Sequence, residues 1–281
     1  MKKIDLNTVR IAFGLFLVSF VLACSTDSVN EPSIDNSRAS KEKFQLKSSQ
    51  FDWIGNAHNL ALENTFLVLQ ENSDVNLQSF LEDELANPIY GLDPKSPDFE
   101  LLGESVDVGL NLTANGVTSL DKIPDLNQEV LNYLIQLENI ILVGKDVKES
   151  INSLEKDIDA DLKLTNKDLY ILYSATSVGK YSYEYWLENA QKWAENVNAP
   201  MDYANFSTKS CSWWQMTGAN SCLGQFMGAV VMGDIIGAIS GAVAALVVNV
   251  WIGPGQLAYA VAILGSGVAG SVGSGLHWIF N

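Results

Sequence analysis

The chain predicts a mainly α-helical protein, with amphipathic helices upstream and a glycine- and alanine-rich apolar helical hairpin at the C-terminus. Three observations carry that prediction. Between residues 125 and 196 apolar side chains recur at three- and four-residue intervals, the period that keeps one helical face apolar. Residues 223–281 carry a single formally charged side chain, Asp234, and are dense in glycine and alanine. Gly253-Pro254-Gly255 divides that stretch into two arms. Proline lacks a backbone donor and cannot continue a helix, so the arms fold back on each other there.

The N-terminus sets the compartment. Lys2, Lys3 and Arg10 precede an apolar run, Ile11–Ala23, too short for a comfortable bilayer span. This is the layout of a secretory signal peptide. Val21-Leu22-Ala23-Cys24 resembles the lipobox of bacterial lipoproteins. That resemblance implies cleavage before Cys24 and acyl chains, palmitate among them, on its cysteine. Lipid is then the only added group, with no other cofactor. Ser25 at the next position implies sorting to an outer membrane. The competing readings are an ordinary signal peptide cut elsewhere and an uncleaved anchor. Residues 24–50 are Ser-, Asn-, Asp-, Glu- and Lys-rich and nearly free of apolar side chains, which predicts a flexible tether. The domain boundaries expected are 1–23, 24–50, 51–210 and 211–281.

Charge narrows the partners. The whole chain has a formal net charge of −16. Residues 1–23 hold three positive side chains and one negative, so their removal leaves −18, and no Lys or Arg follows Lys209. Such a chain offers no basic patch for phosphates, so nucleic acid is not an expected partner. Anionic lipid headgroups would repel it too, leaving the acyl anchor or apolar contact as the route to a membrane.

About five amphipathic helices are expected after the tether. Trp53–Glu71 places Ile54, Leu60, Leu62, Phe66 and Leu69 on one flank, with Gly55 as its weak point. Ser73 or Asp74 is the expected cap of a second helix through Leu77, Phe80, Leu81 and Leu85, ending before Pro88. Val106, Val108, Leu110 and Leu112 alternate with polar residues ahead of Asn115-Gly116, the pattern of a short β-hairpin near 105–118. Asp125 is the expected cap of a helix with Leu126, Val130, Leu134, Leu137 and Ile141 on one face, stopped by Gly144. Val147, Ile151, Leu154, Ile158 and Leu162 form the apolar face of the next. From about Asn166 to Asn196 runs a longer helix whose tyrosines and tryptophans cover more than one face, as in a central helix contacted on several sides.

Few side chains form site motifs. Asp157, Asp159, Asp161, Leu164, Thr165 and Asp168 match positions one, three, five, eight, nine and twelve of an EF-hand calcium loop, but Leu162 stands where the turn needs glycine. Thr165 and Asp168 fit a helix capping box better. His58 and His277 have no ligand-type neighbour at helical spacing, so no metal site is expected. Cys211 and Cys222 flank a loop and, in an oxidising compartment, are the expected disulfide; two free thiols are the alternative. No nucleophile elbow, phosphate loop or dinucleotide fingerprint occurs, and no catalytic residue is assigned.

The tail is the informative element. Gly233, Gly237, Gly241 and Ala245 recur every fourth position, as do Ala258, Ala262, Ser266, Gly270 and Ser274. A four-residue step keeps small side chains on one helical face, where backbones can approach closely. Gly233/Gly237/Gly241 and Ser266/Gly270/Ser274 resemble glycine-zipper segments, and the hairpin is similar to the peptides of two-peptide bacteriocins. The resemblance implies helices that associate with membranes, with each other or with a partner. The expectation is a non-enzymatic, lipid-anchored envelope protein acting through this hairpin by membrane, self or partner association. A purely structural lipoprotein with the hairpin as its core is the rival. A bacteriocin-like toxin and a hydrolase with an acidic site stand further off.

Overall fold

Glycine-faced helices at the C-terminus form the centre of the protein, and the amphipathic helices enclose them. The computed structural model describes residues 46–72, 74–90, 92, 99, 101–114, 120, 123, 126–198, 222–247 and 257–280. Among these there are eight α-helices and no strand: α1 Asp52–Glu71, α2 Leu77–Leu85, α3 Leu101–Ala114, α4 Gln128–Val143, α5 Val147–Ala160, α6 Asn166–Asn196, α7 Cys222–Val247 and α8 Leu257–Phe280. Two 3-10 turns accompany them, Ser48–Gln50 ahead of α1 and Pro88–Tyr90 after α2. Leu46–Asn281 is one compact unit, so the tail belongs to the same fold as the helices upstream.

α7 and α8 pack side by side. α6 lies along α7, α3 lies along α8, and α1 crosses both α6 and α8. α4 contacts α5, α6 and α7, while α5 covers the outside of α4 and α6. The periodic residues face inward as their spacing requires: Val130, Leu134, Leu137 and Ile141 of α4 and Val147, Ile151, Leu154 and Ile158 of α5 are all buried. α4 stops at Gly144, whose φ of 66° is the left-handed conformation glycine adopts without penalty.

α6 is the pillar of the shell. Phe51 stacks on Tyr170 and Tyr173, and Trp193 lies against Phe66 and Trp186. Small residues let neighbours come close. A methyl group on Gly55 would sit 2.4 Å from the Tyr181 ring, which explains a glycine inside α1. Lys180 is nearly buried and joins three helices, with its ammonium 2.9 Å from Asp52 and 3.6 Å from Glu155. Burial pulls its pKa down, but the hydrogen bond to Asp52 and the charge of Glu155 outweigh that and hold it above the usual lysine range.

Four expectations change at this level. Residues 101–114 form helix α3, where the alternation of Val106, Val108, Leu110 and Leu112 predicts the strand of a β-hairpin near 105–118. A second pattern lies beneath that one: Leu102, Ser105, Val106 and Gly109 share a helical face and pack on α8. Tertiary contact chose the 3.6-residue period over the two-residue one. Residues 115–118 lie outside the described residues. The caps of α2 and α4 are Asn76 and Asn127, whose side chains accept from the N–H groups of Ser79 and Val130 at 2.9 Å each. Asp74 instead donates its own N–H to Asn72, and Ser73 and Asp125 lie outside the described residues. Leu60 sits at the edge of the α1 face and is 36% exposed. Leu162 is 92% exposed because α5 ends at Ala160 before the apolar face reaches it.

Candidate functional site

The small-residue faces of α7 and α8 meet in antiparallel register. A methyl group on Gly233 would fall 2.1 Å from the Ser274 hydroxyl, one on Gly237 2.3 Å from the Ser266 carbonyl, and one on Gly241 2.2 Å from the Ala262 carbonyl. From the other side, a methyl group on Gly270 would fall 2.6 Å from the Gly233 carbonyl. Ala245, Ala262 and Ser266 are fully or almost fully buried along the same seam. Real Cβ atoms do not come this close to backbone oxygen, so Gly237, Gly241 and Gly270 accept only hydrogen, and a methyl on Gly233 would force Ser274 to shift. The Ser266 hydroxyl lies 2.7 Å from the Gly237 carbonyl across the seam and 2.6 Å from the Ala262 carbonyl of its own helix.

α8 carries a second small-residue face. A methyl group on Gly109 of α3 would fall 2.4 Å from the Ser266 carbonyl and 2.7 Å from the Ala269 methyl, and one on Gly265 would fall 3.0 Å from Ser105 Cβ. α8 is therefore clasped on two sides through backbone-to-backbone contact. Nothing in the local sequence marks Gly109 as a contact point, since the alternation around it points to a strand.

A polar cluster sits inside this apolar centre. Asp234, the one charged residue of the tail, has no exposed surface. Ser182 of α6 donates to its Oδ2, and Trp186 Nε1 donates to Ser271 at 3.0 Å. His58 of α1 is also fully buried, with Nε2 3.9 Å from Asp234 Oδ2 and Nδ1 3.2 Å from the Asn59 side-chain oxygen. Burial pushes the Asp234 pKa up to about 8, against the downward pull of Ser182, Ser271 and Trp186. Burial pulls the His58 pKa down to about 4, opposed by Asn59 and by the backbone of Gly267. Serine, histidine and aspartate thus coincide, but the serine hydroxyl is bonded to the carboxyl and not to the imidazole. That is the geometry of a packed polar junction, and it differs from a nucleophile paired with its base. Sequence pattern offers no signal for it, because α1, α6, α7 and α8 each contribute one or two residues.

The aspartates of the calcium-like spacing turn to other partners. Tyr173 donates to Asp159, and Asp161 receives the Tyr133 hydroxyl at 3.1 Å and the Lys163 N–H at 2.9 Å. Thr165 and Asp168 form a capping box at the start of α6, and Asn127 adds a hydrogen bond to Asp168 at 2.6 Å. Among the described residues no three His, Cys, Asp or Glu side chains converge on a point where a cation could sit. Thr165→Ala is expected to cost about 1 kcal/mol, read as a lower urea midpoint. The loss should be equal in calcium and in a chelator, as for a cap rather than a metal loop.

His277 lies exposed near the end of α8, away from His58. Cys24 and Cys211 lie outside the described residues, and with them the expected acylation site and the expected disulfide to Cys222. No protein-family model, curated protein or solved structure matches the chain.

Proposed function

We propose that this is a non-enzymatic, lipid-anchored protein of a bacterial cell envelope, at the outer membrane, that works by membrane association through its C-terminal hairpin. In the fold described here the hairpin is buried beneath the amphipathic helices. One observation carries the reading. Leu223–Ala245 and Ala260–Phe280 have the length and composition to cross a membrane, yet 83% and 89% of their most apolar windows are buried. A helix of 26 or 24 residues is about 36–39 Å long, sufficient for a hydrocarbon core of about 30 Å. Apart from Gln225 and Asp234, α7 presents apolar or small side chains on all sides, which protein or lipid must cover.

The amphipathic helices α1 to α6 serve as the cover, with Cys24 as the anchor and the polar segment that follows it as the leash. Liposome flotation tests this. The chain from residue 24, carrying Cys24→Ser so that no acyl group contributes, is expected to rise with phosphatidylcholine vesicles. Zwitterionic lipid is the correct probe because a net charge of −18 opposes anionic surfaces. Retention in the bottom fraction at all lipid ratios defeats the proposal.

The second reading keeps the hairpin permanently inside, as a structural core. The polar contacts that lace it to the shell, Trp186 to Ser271 and Ser182 to Asp234, favour this reading. Opening the domain exposes or breaks each of them.

A further inference from the structure

His58 and Asp234 come from helices far apart in sequence and meet at the centre of the domain with no exposed surface. Their nearest polar atoms are 3.9 Å apart, beyond hydrogen-bonding distance. Neither His58 Nε2 nor Asp234 Oδ1 has a hydrogen-bond partner among the described residues. The groups facing the pair are Ser182 and Trp186 from α6, Ser271 and the Gly267 backbone from α8, and Asn59 beside His58 on α1. No charged side chain of α3 or α4 acts on Asp234. An imidazolium and a carboxylate in this position would both be stripped of water without the contact that compensates a buried ion pair.

We infer that His58 and Asp234 form one buried proton-binding site, a neutral couple in which the carboxyl takes up the proton that the imidazole releases as the chain folds. The proton count balances. In the unfolded chain, between the two ordinary pKa values of 3.8 and 6.5, histidine carries the proton and aspartate is ionised. In the folded domain, between about 4 and about 8, aspartate carries it and histidine is neutral. One proton is bound in each state from pH 4 to 6.5, so the couple adds no pH dependence there. Above 6.5 the unfolded histidine loses its proton while the folded carboxyl keeps one, so stability falls as pH rises toward 8. This couple belongs to the folded domain in water and stands independently of membrane association.

Four proteins isolate the effect: wild type, His58→Gln, Asp234→Asn and the double variant, each unfolded in urea from pH 4.5 to 8.5. Relative to the double variant, the wild-type unfolding constant is expected to stay level to pH 6.5. It should then rise about thirtyfold by pH 8. Asp234→Asn alone should show that constant falling about tenfold per pH unit up to 6.5, and His58→Gln alone should show it rising about tenfold per unit. Single variants that run parallel to the wild type overturn the inference. Should the variants not fold, infrared titration of the wild-type protein decides. The carbonyl stretch of a protonated carboxyl should persist at pH 6.5 and fade near pH 8, and its absence at pH 6.5 overturns the couple.

Discussion

Gly237→Ala is expected to destabilise the domain by about 2 kcal/mol, although alanine is the better helix former by up to about 1 kcal/mol. The added methyl would lie 2.3 Å from the Ser266 carbonyl oxygen and 2.9 Å from its carbon. Both belong to backbone, so no side chain can swing aside and the two helices must separate. Separation also breaks the contact between the Ser266 hydroxyl and the Gly237 carbonyl. In a chain of this size the loss should lower the melting temperature by about 4–8 °C. Gly267→Ala is the matched control. It lies on α8 next to the seam, but its added methyl meets its nearest atoms at 3.7–3.8 Å, ordinary van der Waals contact. Propensity should win there and raise stability by up to about 1 kcal/mol. Equal responses at the two positions would mean that close backbone approach does not hold the hairpin together.

Trp186→Ala should be the costliest of the simple truncations, at about 3–5 kcal/mol. Trp186 is fully buried where α6 meets both arms of the hairpin. Its ring stacks edge-on with Tyr185 and Phe226, lies 4.9 Å from Trp193, and touches the space above Gly275 at 3.2 Å. Its indole N–H is the donor to Ser271. Trp186→Phe keeps most of the volume but leaves the Ser271 hydroxyl without that donor, so an intermediate loss of about 1–3 kcal/mol is expected. Trp53→Ala is the comparison. Trp53 is 42% exposed, so that change should cost clearly less, about 1 kcal/mol. Chemical denaturation of the three variants checks the order.

The shell was legible in the sequence wherever one face of a helix met one partner. α4, α5 and the capping box of α6 obey local rules, and the bounds Asn166 and Asn196 follow from a cap and an aromatic run. The small-residue positions of α7 and α8 were legible as well, because a four-residue step has one geometric consequence. Legibility ended where two patterns overlapped or where a contact joined distant segments. Residues 106–112 carry both a strand alternation and a helical face, and only the presence of α8 selects between them. The caps fell to Asn76 and Asn127 because several Ser, Asp and Asn residues precede each helix and all can cap. The His58–Asp234 junction was hidden for another reason. Each residue looks ordinary or costly alone, and the closeness that changes both depends on how α1 and α7 cross the same centre.

The aromatic lining described around Trp186 makes the protein its own optical gauge. Trp186 and Trp193 stay with α6, whereas Trp278 rides on α8 and stacks on Phe226 of α7. Rings closed off from water emit at shorter wavelength than solvated ones, so parting of hairpin from shell in water wets both sets of indoles, whereas transfer of the hairpin into lipid wets Trp186 and keeps Trp278 dry. Movement of the tail can therefore be followed by fluorescence in the unmodified chain, without an attached dye.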